Sequence, residues 1–116
     1  MSDVKIKVGG AIEEEAARRF VDAWRRAERG ESFREVRLAF ESWDALARVL
    51  TAKRMELLRY VRHHKVTSVR ALAEALGRDY NTVKSDVQAL TAPGLLDSSR
   101  GGVHAGYDVI ETKIAI

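Results

Sequence analysis

Apolar and polar residues alternate at the start of the chain: Val4, Ile6 and Val8 are separated by Lys5 and Lys7, the period of a half-buried strand. Gly9-Gly10 breaks that pattern. From Ile12 the spacing lengthens, and Ile12, Ala16, Phe20, Ala23, Trp24 and Ala27 recur every three or four residues, which predicts an amphipathic helix up to Arg29. Glu13, Glu14 and Glu15 in its first turn and arginines at its end suit the helix dipole, and Gly30 stops it. Period two returns at Val36-Arg37-Leu38-Ala39-Phe40. Four helices then follow, each opened by a side chain suited to an N-cap: Ser42 before Trp43 to Leu50, Thr51 before Ala52 to His64, Ser68 before Val69 to Leu76, and Asp79 before Tyr80 to Thr91. In the second of these, Met55, Leu58 and Val61 form the expected inner stripe. Pro93-Gly94 ends the last helix. Leu95 to Ser99 and Val103 to Tyr107, around Arg100-Gly101-Gly102, predict a two-stranded ribbon. Ile110, Thr112, Ile114 and Ile116 alternate with Glu111, Lys113 and Ala115 as a final strand.

The expected fold is therefore α+β and mainly α, with residues 1–50 as a strand-helix-strand segment plus a short helix, 51–108 as a helical unit closed by the ribbon, and 109–116 as a C-terminal strand. The 116 residues suffice for one modest core. There is no cysteine, so neither a disulfide framework nor a thiolate metal site can exist. No apolar run has the length of a membrane span, and the N-terminus lacks the apolar core of a signal peptide, so a cytoplasmic protein is expected. Charge is unevenly placed. Residues 1–52 carry ten basic and ten acidic side chains, whereas residues 53–91 carry eight basic and four acidic ones, so the whole positive surplus lies in the central segment. Such a concentration is the electrostatic footprint of phosphate binding.

Leu72 to Leu90 carries the most specific signal. Two touching helices need a small residue at their contact, and Ala73 supplies it; four residues later the chain must turn sharply, and Gly77 accepts the required backbone. Val83, Val87 and Leu90 would hold the second helix on the core while Asn81, Thr82, Lys84, Ser85 and Gln88 point outward. This is a helix-turn-helix with Tyr80 to Thr91 as recognition helix, and its outward residue types match the donors and acceptors of the DNA major groove. Candidate base contacts are Asn81, Thr82, Lys84 and Ser85, with Tyr80 and Gln88 beside them. Arg78 and Ser68 fall nearer phosphates, and Arg100 in the ribbon turn and Lys53 and Arg54 at a helix start are further phosphate candidates. The ribbon would be the wing of a winged helix-turn-helix.

Gly77 through Val87 resembles the turn and recognition helix of MarR-like winged-helix regulators. The run from Phe40-Glu41-Ser42-Trp43 through Leu50-Thr51-Ala52-Lys53-Arg54 and Leu58, with Gly77-Arg78-Asp79, Val83 and Asp86-Val87, is similar to short prokaryotic DNA-binding regulators that are antitoxin-like and encoded beside a toxin. The resemblance covers residues 36–116 well and the first strand and helix more loosely. It implies a transcriptional repressor of its own operon and a toxin protein as partner. Arg78 departs from the pattern, which more often has an apolar residue there, and Lys84-Ser85 stands where a bulkier basic pair is usual.

Other constellations lead nowhere. His63-His64 and His104 lack the acidic or thiol companions of a metal site, and no phosphate loop, nucleophilic triad or carboxylate pair appears, so no cofactor and no enzyme activity are expected. The competing function is a winged-helix module that docks on protein rather than DNA; exposed aliphatic side chains on the recognition helix would favour it, and a polar, cationic face favours DNA. A homodimer is also expected, because one recognition helix covers few base pairs. Its candidate contacts are Phe20 and Trp24 on the Ile12–Arg29 helix, supported by Ile114 and Ile116 of the last strand, although that strand could equally pair within the chain.

Overall fold

A computed structural model describes residues 3–9, 35–99 and 102–114 of the chain. The alternating segments near both ends come together in one sheet. Asp3–Val8 (β1) is its central strand, flanked by Glu35–Phe40 (β2) on one side and Val109–Ile114 (β5) on the other, and both pairings are parallel. The register aligns Val4 with Val36 and Ile110, Ile6 with Leu38 and Thr112, and Val8 with Phe40 and Ile114. Because side chains alternate across a strand, these rows form one nearly apolar face, and Val4, Ile6 and Val8 at its centre are buried. The opposite face is charged, with Lys5 paired to Glu111 at 3.7 Å and Lys7 beside Lys113. The last strand thus pairs within the chain, on β1. The helix expected over Ile12–Arg29, with Phe20 and Trp24, lies outside the described residues, as does Ile116.

The chain divides into two units, one formed by residues 1–46 with 108–116 and the other by residues 47–107. This differs from the three-part division read along the sequence, since the last strand belongs with the first rather than standing apart. Four helices lie among the described residues: Trp43–Val49 (α1), Ala52–His63 (α2), Val69–Leu76 (α3) and Tyr80–Thr91 (α4). Each begins where the sequence places a cap. The Ser42 Oγ accepts from the Ala45 N–H, the Thr51 Oγ1 from Arg54, the Ser68 Oγ from Ala71 and the Asp79 carboxylate from Thr82, satisfying donors that a helix start leaves free.

The core of the second unit is contributed by Leu57, Leu58 and Val61 of α2, Leu72 and Ala73 of α3, and Val83, Val87 and Leu90 of α4. Leu57 is fully buried whereas Met55, expected on the inner stripe, is only half-buried. The ribbon is shorter than expected: Asp97–Ser99 (β3) pairs antiparallel with Gly102–His104 (β4), and a single antiparallel bridge joins Val66 to Val103. Leu95 and Leu96 are not strand residues; both are buried, and both N–H groups donate to the Leu90 carbonyl. No described helix is long and apolar enough to cross a membrane.

Tyr107 fastens the end of this unit. Its hydroxyl donates to the Leu95 carbonyl at 2.9 Å, and burial pushes its pKa from 10.0 up to about 12. A phenol whose folded-state pKa is raised keeps its full contribution below the unfolded value and loses it as pH rises. Stability should therefore fall between about pH 10 and pH 12. Tyr107→Phe, less stable by about 1 kcal/mol at neutral pH through the lost hydrogen bond, should show a shallower alkaline decline in chemical denaturation.

Candidate nucleic-acid interface

Helices α3 and α4 are joined by three residues, Gly77-Arg78-Asp79. Gly77 takes a left-handed conformation (φ 66°, ψ 35°), and a Cβ there would meet nothing within 4 Å, so glycine is needed for the backbone angle and not for space. The Gly77 N–H donates to the Glu74 carbonyl and the Arg78 N–H to that of Ala73, closing the end of α3. The turn is also tied to α2: the Arg78 guanidinium donates to the Lys53 carbonyl at 3.1 Å and forms an ion pair with Glu56. Ala73 is buried where α3 and α4 pack.

At about 100° per residue, Lys84, Gln88, Asn81, Ser85 and Thr82 follow one another around a single arc of α4. All five are exposed, while Val83, Val87 and Leu90 on the opposite side are buried. Among the described residues no side chain pairs with Lys84. The Thr82 hydroxyl lies 3.4 Å from the Asp79 carboxylate as a donor, a local contact that leaves its lone pairs outward. The face holds donors and acceptors of neutral amide and hydroxyl type around one cation, with no large apolar side chain.

The phosphate candidates divide. Lys53 is exposed. Ser68 spends one lone pair on its cap and keeps its hydroxyl proton available. Arg54 and Arg78, expected as phosphate contacts, are instead engaged inside the fold. The Arg54 Nε donates to the Asp86 carboxylate at 2.9 Å and its Nη1 to the carbonyls of Arg48 and Val49, with both partners of the ion pair largely buried. Arg54 thereby links α1, α2 and α4, and Arg78 links the turn to α2. Arg100 lies outside the described residues. Gly102, assigned to the ribbon turn by its sequence context, is a strand residue (φ 109°) whose missing Cβ makes room for the Val66 carbonyl.

Tyr80 is half-buried, and the Arg70 guanidinium lies over its ring at 4.6 Å from the centroid. Arg70 went unremarked in the sequence. Ser68, once it caps α3, puts Arg70 in the first turn of that helix, but the spacing gives no sign that its long side chain reaches Tyr80. The internal pairs Arg54–Asp86 and Arg78–Glu56 remove equal numbers of each sign, so Lys53, Arg59, Arg62, Lys65, Arg70 and Lys84 keep the local surplus positive against Glu74 and Asp79. The Arg62 side chain also donates to the Ala105 carbonyl. His64 stacks on Tyr60 and contacts its carbonyl through Nδ1, and no group of three metal-ligating side chains occurs among the described residues.

A family model designated HVO_A0114 matches residues 49–112, which takes in α2, α3, α4, the ribbon and most of β5. No curated protein matches the chain. The match covers more than half of the sequence, and the chain belongs to the HVO_A0114 family.

Proposed function

We propose that this member of the HVO_A0114 family is a sequence-specific double-stranded-DNA-binding regulator of transcription, with α2 to α4 and the β3–β4 ribbon forming a winged helix-turn-helix. The observation that carries this reading is the exposed face of Asn81, Thr82, Lys84, Ser85 and Gln88 on α4, directly after the Gly77 turn. In this reading α4 enters the major groove with its N-terminal side chains at base edges. Lys53, Ser68 and Arg70 approach phosphates, Tyr80 supports Arg70, and Arg100 is carried by the wing. The same face argues against a protein-docking module, because it offers no aliphatic or aromatic anchor.

The resemblance to MarR-like and antitoxin-like regulators extends the proposal to a cytoplasmic repressor of its own promoter, acting as a homodimer and held in complex with a toxin. Trp43, 54% exposed on α1, supports a protein partner in addition to DNA, since large exposed aromatics are the residues around which interfaces concentrate their energy.

Fluorescence anisotropy with a duplex spanning the protein's own promoter and a scrambled duplex of equal length tests the DNA reading. Asn81→Ala should lose about 1–3 kcal/mol of preference for the promoter while binding the scrambled duplex as before. Lys53→Ala should weaken both duplexes alike and lower the salt slope by about one ion. Equal affinity of the parent for both duplexes, unaffected by either change, would sink the proposal.

A further inference from the structure

The proposed regulator needs two copies to read two half-sites, and the described residues contain one edge suited to joining them. We propose that two copies pair antiparallel through the outer edges of β5, with the two-fold axis passing through Thr112. The inference deepens the homodimer of the proposed regulator and rests on that reading only for the use made of the dimer; strand pairing itself requires no DNA.

The edge is open. β5 uses one side to pair with β1, and among the described residues no strand occupies the other. Every β5 residue except Ile110 is exposed, and Ile114 is 48% exposed. A six-residue strand with neither proline nor bulge, whose outer N–H and C=O groups have no strand partner among the described residues, is a template for another strand.

The residues select both the occupant and the register. Two β5 strands keep apolar face on apolar face only if residues of like parity oppose one another. Centring the pair on Thr112 sets Ile110 against the partner subunit's Ile114 and Glu111 against the partner subunit's Lys113, and the two-fold axis makes each pair twice. Opposite charges and β-branched residues directly across an antiparallel pair are mutually stabilising. Centring it on Glu111 or on Lys113 instead sets like charges against each other on the axis. Lys113 also sits beside Lys7 in the β1–β5 register, and no described carboxylate pairs with it. The partner subunit's Glu111 sets a negative charge directly across from Lys113. On the sheet's other edge, β2, pairing on Leu38 sets Arg37 against Ala39, and the ionic match of Glu35 with Arg37 arises only in the register centred on Val36, which engages three of the six strand residues against five for β5 on Thr112.

The test uses the full chain without DNA, so its result is independent of whether the α4 face binds nucleic acid. Sedimentation at micromolar concentration should give twice the 13.0 kDa chain mass. Lys113→Glu places a carboxylate beside Lys7 in the β1–β5 register and so should leave the fold intact, yet it sets Glu against Glu across the dimer and should weaken association roughly tenfold or more. Glu111→Lys should do the same through Lys against Lys, with the exposed Lys5 pair within the chain turned into a like-charge pair at small cost to the fold. Mixed together, the two variants should form a heterodimer as tight as the parent, because each then faces its opposite charge. The chain has no cysteine, so Thr112→Cys gives a single thiol on the axis, and mild oxidation should cross-link it. A monomeric parent overturns the proposal. So does a Lys113→Glu dimer as tight as the parent, a mixture that fails to restore association, or a Thr112→Cys chain that stays uncross-linked.

Discussion

Gly102→Ala is expected to destabilise the second unit by about 3–5 kcal/mol, combining the strain of a positive φ with overpacking in a closed space. A Cβ at this position would lie 1.8 Å from the Val66 carbonyl oxygen, and that oxygen accepts the Val103 N–H that places β4 on the core. Neither side can yield cheaply, because both atoms belong to backbone fixed by the Val66–Val103 bridge. Thermal unfolding should drop by roughly 4–8 °C for each kcal/mol in a unit of this size. Gly106→Ala is the control: a Cβ there meets nothing within 4 Å and no positive φ is involved. Its melting point should stay near the parent's. Equal melting of the two variants would mean that β4 does not approach Val66 closely.

Arg54→Ala should cost about 2–4 kcal/mol, at the lower part of the range for breaking a buried ion pair because both groups retain some exposure. The change strands the Asp86 carboxylate and removes the donor to two carbonyls at the end of α1. A phosphate contact predicts the reverse, an unchanged melting point with weaker and less salt-sensitive DNA binding. Lys53→Ala, one residue away and exposed, should show that second behaviour. Urea denaturation of the two variants side by side decides between the roles, and an Arg54→Ala protein as stable as the parent would restore Arg54 to the DNA surface.

That contrast also marks where sequence reading stops. The caps at Ser42, Thr51, Ser68 and Asp79 were legible because a cap and the N–H it satisfies lie within three residues. The exposed arc of α4 was legible for a similar reason, since helical periodicity alone separates Val83, Val87 and Leu90 from Asn81 and Lys84. The ion pairs of Arg54 and Arg78 were not legible because their partners, Asp86 and Glu56, are remote in sequence, and a cation's type says nothing of which carboxylate will reach it. Gly102 followed Gly101 in a context that suits any hairpin turn, and only the arrival of Val66 from the other side of α3 gives it a different task. Leu57 was passed over because a stripe at Met55, Leu58 and Val61 assumes one buried side, whereas α2 also packs against β4 and therefore buries a wider arc.

The parallel sheet has a consequence for the order of folding. β1 is paired with β5, so Asp3 meets Val109 across nearly the whole chain, whereas residues 47–107 draw their contacts from one continuous stretch. Contacts between distant residues form slowly because the closure entropy comes first. During synthesis the helical unit therefore emerges complete while β1 still lacks one neighbour, and β5 follows it. A nascent chain on the ribosome thus carries its α4 surface before it carries the edge through which copies associate, so that edge is not presented to neighbouring chains while the helical unit is still being made.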